Sequence, residues 1–357
     1  MDINKIMEMC VKRNASDIHL VVGKPPLLRI DNSLVKIEEG VLRPEDTVAF
    51  MKAITPPEYQ KGITEKGGTE FGFSFEKLGR FRVSVYRERN NLGIALRLIP
   101  YKIMTFEEIG LSPQIKEFLY RNRGLVLVTG PTGSGKTTTL ATMIDHINKE
   151  KDCHILTIED PIEYYHEHKK SIVTQREVGI DVPSFSEAVI KGLRQDPDVI
   201  LIGEMRDLAT MQAALTAAET GHLVFATLHT TGAGQTVDRL IDAFPTHQQE
   251  QVRVQLSLNV IAIISQLLLV KAVRPGRIAT FEIMVATPAI QNLIRENKAF
   301  RITSEIQTGT KYGMKSMDSS LLELYNNKLI TYEDLISKAF DPQHILTELN
   351  SKKGKKA

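Results

Sequence analysis

One eight-residue stretch limits the possible folds of this chain more than any other. Residues 130–137 read Gly-Pro-Thr-Gly-Ser-Gly-Lys-Thr and satisfy the pattern G-x-x-x-x-G-K-[ST]. The five residues before it, 125–129, carry no charge, which is typical of a parallel strand buried on both faces. After it, four apolar side chains fall on one helical stripe: Leu140, Met143, Ile144 and Ile147. A strand, a glycine-rich turn and a helix in this order predict a P-loop.

The spacing of these residues points to phosphate chemistry. Glycines let successive backbone N–H groups turn inward without a Cβ clash, at the N-terminus of a helix where negative charge is stabilised. Lys136 is expected to reach the β- and γ-phosphates of ATP, and the Thr137 hydroxyl is expected to hold Mg²⁺. The predicted nucleotide-binding residues are Thr132, Gly133, Ser134, Gly135, Lys136, Thr137 and Thr138.

The rest of the chain predicts an α/β protein with two domains. Four apolar segments, at 125–129, 155–158, 199–203 and 223–228, alternate with helical patterns, which favours a parallel sheet covered on both faces. Earlier, strand alternation and turns predict a smaller α+β domain with antiparallel strands. The predicted segments are an N-terminal domain (1–100), a linker (101–115) and a nucleotide domain (116–357) that ends in a helical region and a basic tail.

Acidic and histidine side chains follow the predicted parallel strands, where ligands of such sheets bind. Glu204 follows the aliphatic run 199–202, the position of a carboxylate that meets Mg²⁺ or a water beside the γ-phosphate. Glu163 is a second candidate for activating the water, and the choice between the two stays open. His229 is interpreted as a sensor of the γ-phosphate, with His222 a weaker candidate.

In the N-terminal domain, Arg80 and Arg82 alternate with apolar residues on one predicted strand, and Arg97 does so on the next. Alternation places these three guanidiniums on the face of the sheet that points away from the core. Considered alone, they are explained by ordinary surface charge.

Composition limits three features of this protein: binding of polyanions, cysteine-based metal sites and membrane-spanning segments. Lys and Arg number 45 against 43 Asp and Glu, so the net charge of +2 neither favours nor excludes a polyanion. The two cysteines, Cys10 and Cys153, lie too far apart for a local zinc knuckle and suggest a reducing compartment. Both are expected to be buried, inert thiols. The first residues, Met-Asp-Ile-Asn-Lys, include an acid and are followed by no apolar h-region, so no secretory signal is expected. The most apolar segment, 256–270, is shorter than the roughly 20 residues of a bilayer span, and its spacing predicts a packing helix.

Four boxes of sequence together resemble the secretion ATPase superfamily. Residues 130–137, 158–163, 202–207 and 220–231 look like its Walker A, Asp, Walker B and His boxes, and the similarity extends over almost the whole chain. Within the superfamily, the chain is most similar to the retraction ATPases of type IV pili, through the run 15–20 and the helix 289–296.

This resemblance implies a RecA-like P-loop ATPase core with a PAS-like N-terminal domain, assembled as a homo-hexamer with ATP between the domains. It implies that Arg82 and Arg97 stabilise phosphate charge, with Arg80 less certain, and that Arg194 and Arg206 act similarly from the core. The implied function is a cytoplasmic, Mg²⁺-dependent ATPase that moves its N-terminal domain against the core and so drives pilus disassembly. It would work peripherally at the inner membrane, through the pilus platform protein.

Three alternatives stay open. Pilus assembly and type II secretion ATPases usually carry an added N-terminal domain and a four-cysteine zinc insertion, which the length and two cysteines of this chain disfavour. A nucleic-acid translocase would need a basic groove with stacking aromatics, and the chain has no Trp. A binding module without turnover is disfavoured by Glu163 and Glu204. One departure from the family is Gln291, where arginine is more common, which puts any partner contact through that position in question.

Overall fold

The computed structural model describes residues 2–13, 15–30, 33–37, 40–75, 79–99, 102–273 and 276–354. By contacts, the chain divides into two compact units: Met1–Ile103 with Pro161–Tyr165, and Met104–Asp160 with His166–Ala357. The domain boundaries expected from the sequence, at residues 100 and 115, stay a prediction. The side chains of the basic tail, 351–357, lie outside the described residues, as does Pro100.

The first unit is built on an antiparallel sheet of six strands in the order β3-β2-β1-β6-β5-β4. Its strands are β1 (Asp17–Leu20), β2 (Leu27–Ile30), β3 (Ser33–Lys36), β4 (Gly68–Phe75), β5 (Gly79–Glu88) and β6 (Asn91–Ile99). Its helices are α1 (Ile3–Lys12), α2 (Pro44–Ile54) and α3 (Pro57–Lys66). Alternate residues of β5 and β6, including Phe81, Val83 and Leu96, are fully buried in one apolar core with α1. The predicted α+β class of this unit is confirmed.

The second unit contains a seven-stranded sheet in the order β13-β12-β7-β11-β10-β8-β9, parallel except for β13. Its strands are β7 (Gly124–Thr129), β8 (His154–Glu159), β9 (Ile172–Glu177), β10 (Val199–Ile202), β11 (Leu223–Leu228), β12 (Val260–Val270) and β13 (Arg277–Val285). Its helices are α4 (Phe106–Ile109), α5 (Lys116–Leu119), α6 (Lys136–Glu150), α7 (Phe185–Gly192), α8 (Leu208–Glu219), α9 (Ala233–Asp242), α10 (Thr246–Asn259), α11 (Pro288–Arg295), α12 (Ile302–Thr308), α13 (Met317–Asn326), α14 (Tyr332–Lys338) and α15 (Pro342–Gly354).

The central strands of this sheet are buried on both faces, as their uncharged sequences predict. Leu125 and Leu127 pack in one apolar core, which includes residues of α8 to α12. Val126 and Val128 point to the other core, which includes residues of α4, α5 and α6. Because side chains of a strand alternate between faces, this division means that helices cover both sides of the sheet. The predicted α/β class is confirmed.

The prediction of a packing helix over 256–270 is wrong beyond residue 259. Helix α10 ends at Asn259, and Val260–Val270 forms strand β12, which pairs with β7 on one side and β13 on the other. A dense apolar run satisfies helical and strand spacing equally well, and its β-branched residues favour the strand. Strands β9 and β13 were also not among the predicted strands.

The surface-charge interpretation is wrong for Arg80. Alternation with Phe81 is as predicted, but Arg80 is only 7% exposed. Its guanidinium lies 4.4 Å from the centre of the Tyr165 ring and fills the space above Gly72, where a Cβ would come within 2.0 Å of Nη2. A glycine on the neighbouring strand therefore makes room for a buried arginine.

Two further expectations concern cysteines and membranes. Cys10 is buried, and burial raises the pKa of its thiol to about 12, as expected of an inert cysteine. The expectation of burial is wrong for Cys153, which is partly exposed and whose Sγ lies 3.2 Å from Ser171 Oγ. Within the described ranges, we find no helix with the length and apolarity to cross a bilayer.

Candidate nucleotide-binding site

The P-loop begins where β7 ends, at the buried residue Thr129. Three of its glycines have positive φ angles: 141° at Gly130, 79° at Gly133 and 90° at Gly135. L-residues with a side chain rarely adopt this backbone, so the turn requires glycine here. Gly135 is the N-cap of α6, so the loop leads directly into the N-terminus of a 15-residue helix. That terminus presents backbone N–H donors and the positive end of the helix dipole to an anion.

Two of these glycines have different surroundings. A Cβ on Gly130 would lie 2.3 Å from the backbone oxygen of Gln266, so the main chain of β12 packs directly against the loop at this point. A Cβ on Gly133 would meet no atom within 4 Å. The loop is therefore closely packed at Gly130 and open at Gly133, which is the side from which a phosphate has room to approach.

The polar side chains of the loop suit an anion. Lys136 is only 9% exposed, and its Nζ donates to Gly130 O at 2.8 Å and Pro131 O at 3.1 Å, which fixes the ammonium group against the loop. Ser134 Oγ is buried without a hydrogen-bond partner among the described residues. A buried hydroxyl of this kind is costly unless it is satisfied, and a phosphate oxygen would satisfy it. Thr137 and Thr138 are half-buried at the start of α6, and Thr132 is exposed.

Glu204 follows β10 at the same edge of the sheet as the P-loop. Its side chain is 15% exposed, Oε1 lies 2.8 Å from Arg206 Nε, and Oε2 lies 3.4 Å from His229 Nε2. His229 follows β11, which pairs in register with both β7 and β10. Parallel pairing thus brings together the P-loop, His229, Glu204 and Arg206, as their positions after strands predict.

The two histidines that flank β11 lie at opposite ends of that strand. His222 Nδ1 lies 3.0 Å from Ala217 O in the turn that closes α8, away from the carboxyl edge. Its contacts are those of a helix-closing residue. Arg194 is exposed in the segment between α7 and β10.

Glu163 belongs to Pro161–Tyr165, the short segment that packs with the first unit, and it is half-buried there. Glu159, four residues earlier in the sequence, belongs to the second unit and is buried. Thr157 Oγ1 donates to Glu159 Oε1 at 2.7 Å, and Gln175 Nε2 donates to the same atom at 3.1 Å. The structure therefore holds Glu159 in hydrogen bonds within its own sheet.

Arg82 and Arg97 are directly opposite each other on β5 and β6. Arg97 Nε lies 2.9 Å from Asp17 Oδ1, and Arg82 Nη2 lies 3.1 Å from Glu70 Oε2. The side chain of Arg97 is 70% exposed and that of Arg82 is 43% exposed. Burial by itself would raise the pKa of Asp17, but hydrogen bonds from Ser16 and Arg97 lower it, so the carboxylate stays charged. The exposed pair of Arg82 with Glu70 contributes roughly 0–1 kcal/mol, so Arg82 can exchange partners at little cost. Asp17 is only 8% exposed, so the Arg97 guanidinium leaves that carboxylate at a higher cost.

Residues of β12 and β13 that contact the P-loop region were not predicted from the sequence. Gln266 contacts the loop, Ser265 contacts Thr129, and Glu282, which is 2% exposed, accepts from Ala233 N at 2.8 Å. Burial raises the pKa of Glu282. The sequence signal that could have located these contacts is the polar pair Ser265-Gln266, which interrupts the apolar run of β12.

The donors available to a divalent cation are oxygens. The Thr137 hydroxyl and the Glu204 carboxylate are hard ligands of the type that Mg²⁺ prefers. Among the residues that the structure describes, no group of three His, Cys, Asp or Glu side chains forms a protein-only metal cluster.

The family model for "Type II/IV secretion system protein" matches residues 1–324. The chain belongs to this family. The predicted resemblance to the secretion ATPase superfamily is confirmed.

Similar proteins include one named for pilus retraction and one named for twitching motility. The chain is 47% identical over 344 residues to the "Type IV pilus retractation ATPase PilT" of Pseudomonas aeruginosa, covering 96% of this chain and 100% of that protein. It is 45% identical to a "Twitching motility protein" of Neisseria gonorrhoeae, covering 86% of this chain and 82% of the other. The crystal structure of "the Pilus Retraction Motor PilT and Bound ADP" superposes with a TM-score of 0.91 at 46% identity, over 96% of this chain and 98% of that one. The PilT-type resemblance extends over both units.

Proposed function

We propose that this chain is a hexameric, ATP-hydrolysing motor that powers retraction of a type IV pilus and hence twitching motility. The observation that carries the proposal is full-length similarity, at 47% identity, to a pilus retraction ATPase, with an intact P-loop at the matching site. The solved relative with bound ADP supports nucleotide binding by the same fold.

Binding of ATP is assigned to the P-loop. The backbone N–H groups of residues 132–138 and the positive end of α6 attract the phosphates. Lys136 exchanges its loop carbonyls for phosphate oxygens, and Ser134 Oγ gains the hydrogen bond that it lacks among the described residues. The open side of Gly133 admits the phosphate chain.

Mg²⁺ would be held by Thr137 and Glu204, together with phosphate oxygens. When bound, it neutralises charge on the β- and γ-phosphates.

Hydrolysis requires a carboxylate to orient and deprotonate water. Glu204 is held on both oxygens, by Arg206 and His229, which fixes its direction at the strand end. Glu163 is the second candidate for this role. His229, in contact with Glu204, is proposed to sense the γ-phosphate, because its contact with that carboxylate changes when the charge beside it changes.

Arginines complete the proposed chemistry. Arg82 and Arg97, from neighbouring strands, are assigned to stabilising charge on the transferring phosphoryl group. Groups of this kind contribute roughly 10³- to 10⁵-fold in other phosphoryl-transfer enzymes. Loss of the γ-phosphate would release them, and movement of the N-terminal domain against the core would follow.

The proposed assembly is a homo-hexamer in the cytoplasm, peripheral at the inner membrane and engaged with the pilus platform protein. No nucleic-acid partner is proposed. Pilus assembly and type II secretion remain the alternative functions within the family.

The enzymatic part is tested by Glu204→Gln. The variant should bind an ATP analogue as the wild type does but release phosphate at least about 100-fold more slowly, because amide nitrogen cannot accept the proton of water. The matched control is Glu250→Gln, the same substitution at an exposed position on α10, which should keep full activity. Lys136→Ala should lose binding, and chelation of Mg²⁺ by EDTA should stop turnover in the wild type. Full hydrolysis by Glu204→Gln would move the role to Glu163.

The cellular part is tested by deleting the gene in its own host. Retraction predicts an excess of immobile pili, which wild-type chain restores to normal and Glu204→Gln does not. An absence of pili after deletion would overturn retraction in favour of assembly, even if the ATPase assay succeeds.

A further inference from the structure

The side chain of Gln266 joins two parts of the P-loop region. It lies on β12 and is 3% exposed. Its Nε2 donates to Ser134 O at 2.7 Å, and its Oε1 accepts from Thr139 Oγ1 at 2.7 Å. A primary amide carries its donor and its acceptor on two separate atoms, so one glutamine side chain can bond Ser134 through Nε2 and Thr139 through Oε1 at the same time.

The main chain of Gln266 constrains the same loop. Its carbonyl oxygen occupies the space beside Gly130, and its Nε2 lies where a Cβ on Gly135 would come within 2.9 Å. Gln266 therefore bonds the loop at Ser134 and helix α6 at Thr139, and its main chain packs beside Gly130. A loop joined in this way to the helix and to β12 has few alternative conformations, and such preorganisation favours phosphate binding.

The preceding residue, Ser265, extends this connection to the segment after His229. Ser265 Oγ lies 2.7 Å from Thr129 Oγ1, at the last residue of β7, and accepts from Gly232 N at 3.1 Å. Glu282, which is opposite Ser265 on β13, accepts from Ala233 N. Ser265 is 1% exposed, so these contacts are shielded from water. One hydroxyl thus links the P-loop strand with the turn three residues beyond His229.

We propose that Gln266 and Ser265 are positioning residues for ATP hydrolysis. Gln266 acts through Ser134 and Thr139 to hold the P-loop in its phosphate-binding shape. Ser265 acts through Thr129 and Gly232 to hold the His229 segment at a fixed place relative to that loop. The proposal rests on the function proposed above, and neither residue is expected to touch the nucleotide.

The two residues should give different kinetic signatures. Loss of the Gln266 contacts frees the loop before nucleotide binds, so affinity should fall. Loss of the Ser265 contact leaves the loop in place but frees the His229 segment, so turnover should fall with little change in affinity. A merely structural role would lower thermal stability and leave both quantities unchanged.

The experiment compares Gln266→Met, Gln266→Glu and Ser265→Ala with the wild-type full-length chain. Ser257→Ala is the matched control, because Ser257 is also fully buried, on α10, and donates one hydrogen bond, to Val254 O. Each protein is measured for affinity to a fluorescent, non-hydrolysable ATP analogue, for KM and kcat of phosphate release, and for melting temperature.

Gln266→Met keeps the length of the side chain and should weaken analogue binding and raise KM by about tenfold or more, since two buried partners lose their hydrogen bond. Gln266→Glu should not rescue binding, because it sets a carboxylate oxygen against Ser134 O. Ser265→Ala should lower kcat by about tenfold with KM within about twofold of wild type. Ser257→Ala should keep wild-type KM and kcat even where its melting temperature falls.

Wild-type analogue affinity in Gln266→Met would overturn the role of Gln266, and wild-type kcat in Ser265→Ala would overturn that of Ser265. A wild-type chain that binds the analogue without turnover would overturn the proposed hydrolysis alone, since the affinity measurement still decides the role of Gln266.

Discussion

Two alanine substitutions in the P-loop separate the packing of the loop from its chemistry. Gly130 and Gly133 both have positive φ angles, of 141° and 79°. Only at Gly130 would an added methyl group meet protein, at 2.3 Å from the backbone oxygen of Gln266 and 2.8 Å from Ser134 Oγ. Gly133→Ala is therefore a control with backbone strain but no clash.

The expected magnitudes follow from these surroundings. An alanine at position 133 would have to adopt the left-handed backbone conformation of Gly133, which destabilises the folded state by about 1–2 kcal/mol. Alanine at Gly130 costs a comparable strain of about 1–3 kcal/mol and, in addition, an overpacking term of about 1–3 kcal/mol, since the atom it meets is main chain of a central strand. We expect Gly130→Ala to be less stable than Gly133→Ala by at least about 1 kcal/mol, a difference of roughly 2–4 °C in melting temperature for a domain of this size.

The assay is thermal unfolding at one protein concentration without nucleotide, followed by titration with the ATP analogue. Both variants should bind the analogue weakly, Gly130→Ala because the loop is displaced and Gly133→Ala because the methyl group stands on the open side. The reasoning is refuted if Gly130→Ala melts at or above the temperature of Gly133→Ala, because the close approach of β12 would then impose no cost.

Two further predictions concern pH and the N-terminal arginines. Burial lowers the pKa of His166 from 6.5 to about 4, so the folded state resists its protonation, and about 3 kcal/mol of stability is lost as pH falls from 6.5 to 4. In urea unfolding across this range, His166→Gln should lose less stability than wild type or the exposed control His247→Gln; equal slopes would contradict the assignment. Arg82→Ala and Arg97→Ala should reduce phosphate release by at least about 100-fold. The melting temperature of Arg82→Ala should stay near that of wild type, because its ion pair with Glu70 is exposed, whereas Arg97→Ala should melt lower, because it leaves the buried carboxylate of Asp17 without its nearest cation. Arg87→Ala, an exposed arginine at the end of the same strand as Arg82, should keep full activity, and unchanged turnover in all three would return Arg82 and Arg97 to the status of surface charge.

The parts of the site that are contiguous in sequence were predictable. Residues 125–147 form a strand, a loop and a helix through local backbone preferences, so the P-loop and Lys136 could be located without a structure. Glu204 and His229 were predictable because each lies within two residues of the end of a buried parallel strand. The carboxyl ends of such strands meet at one edge of the sheet.

The error over 260–270 has a specific physical cause. A run as apolar as β12 satisfies helical and strand periodicity alike. The choice is made by pairing, since β7 and β13 offer hydrogen-bonding edges on both sides of this segment. Neither edge is adjacent in sequence to the residues that it pairs with.

The amino-acid order alone specified a glycine-rich phosphate loop between a buried strand and a helix, because those features depend on neighbouring residues. Packing between distant segments decided that Arg80 is buried above Gly72 and that Gln266 and Ser265 contact the loop from more than a hundred residues away. Local periodicity carries no information about such contacts, since they form only when separate strands come together in one sheet.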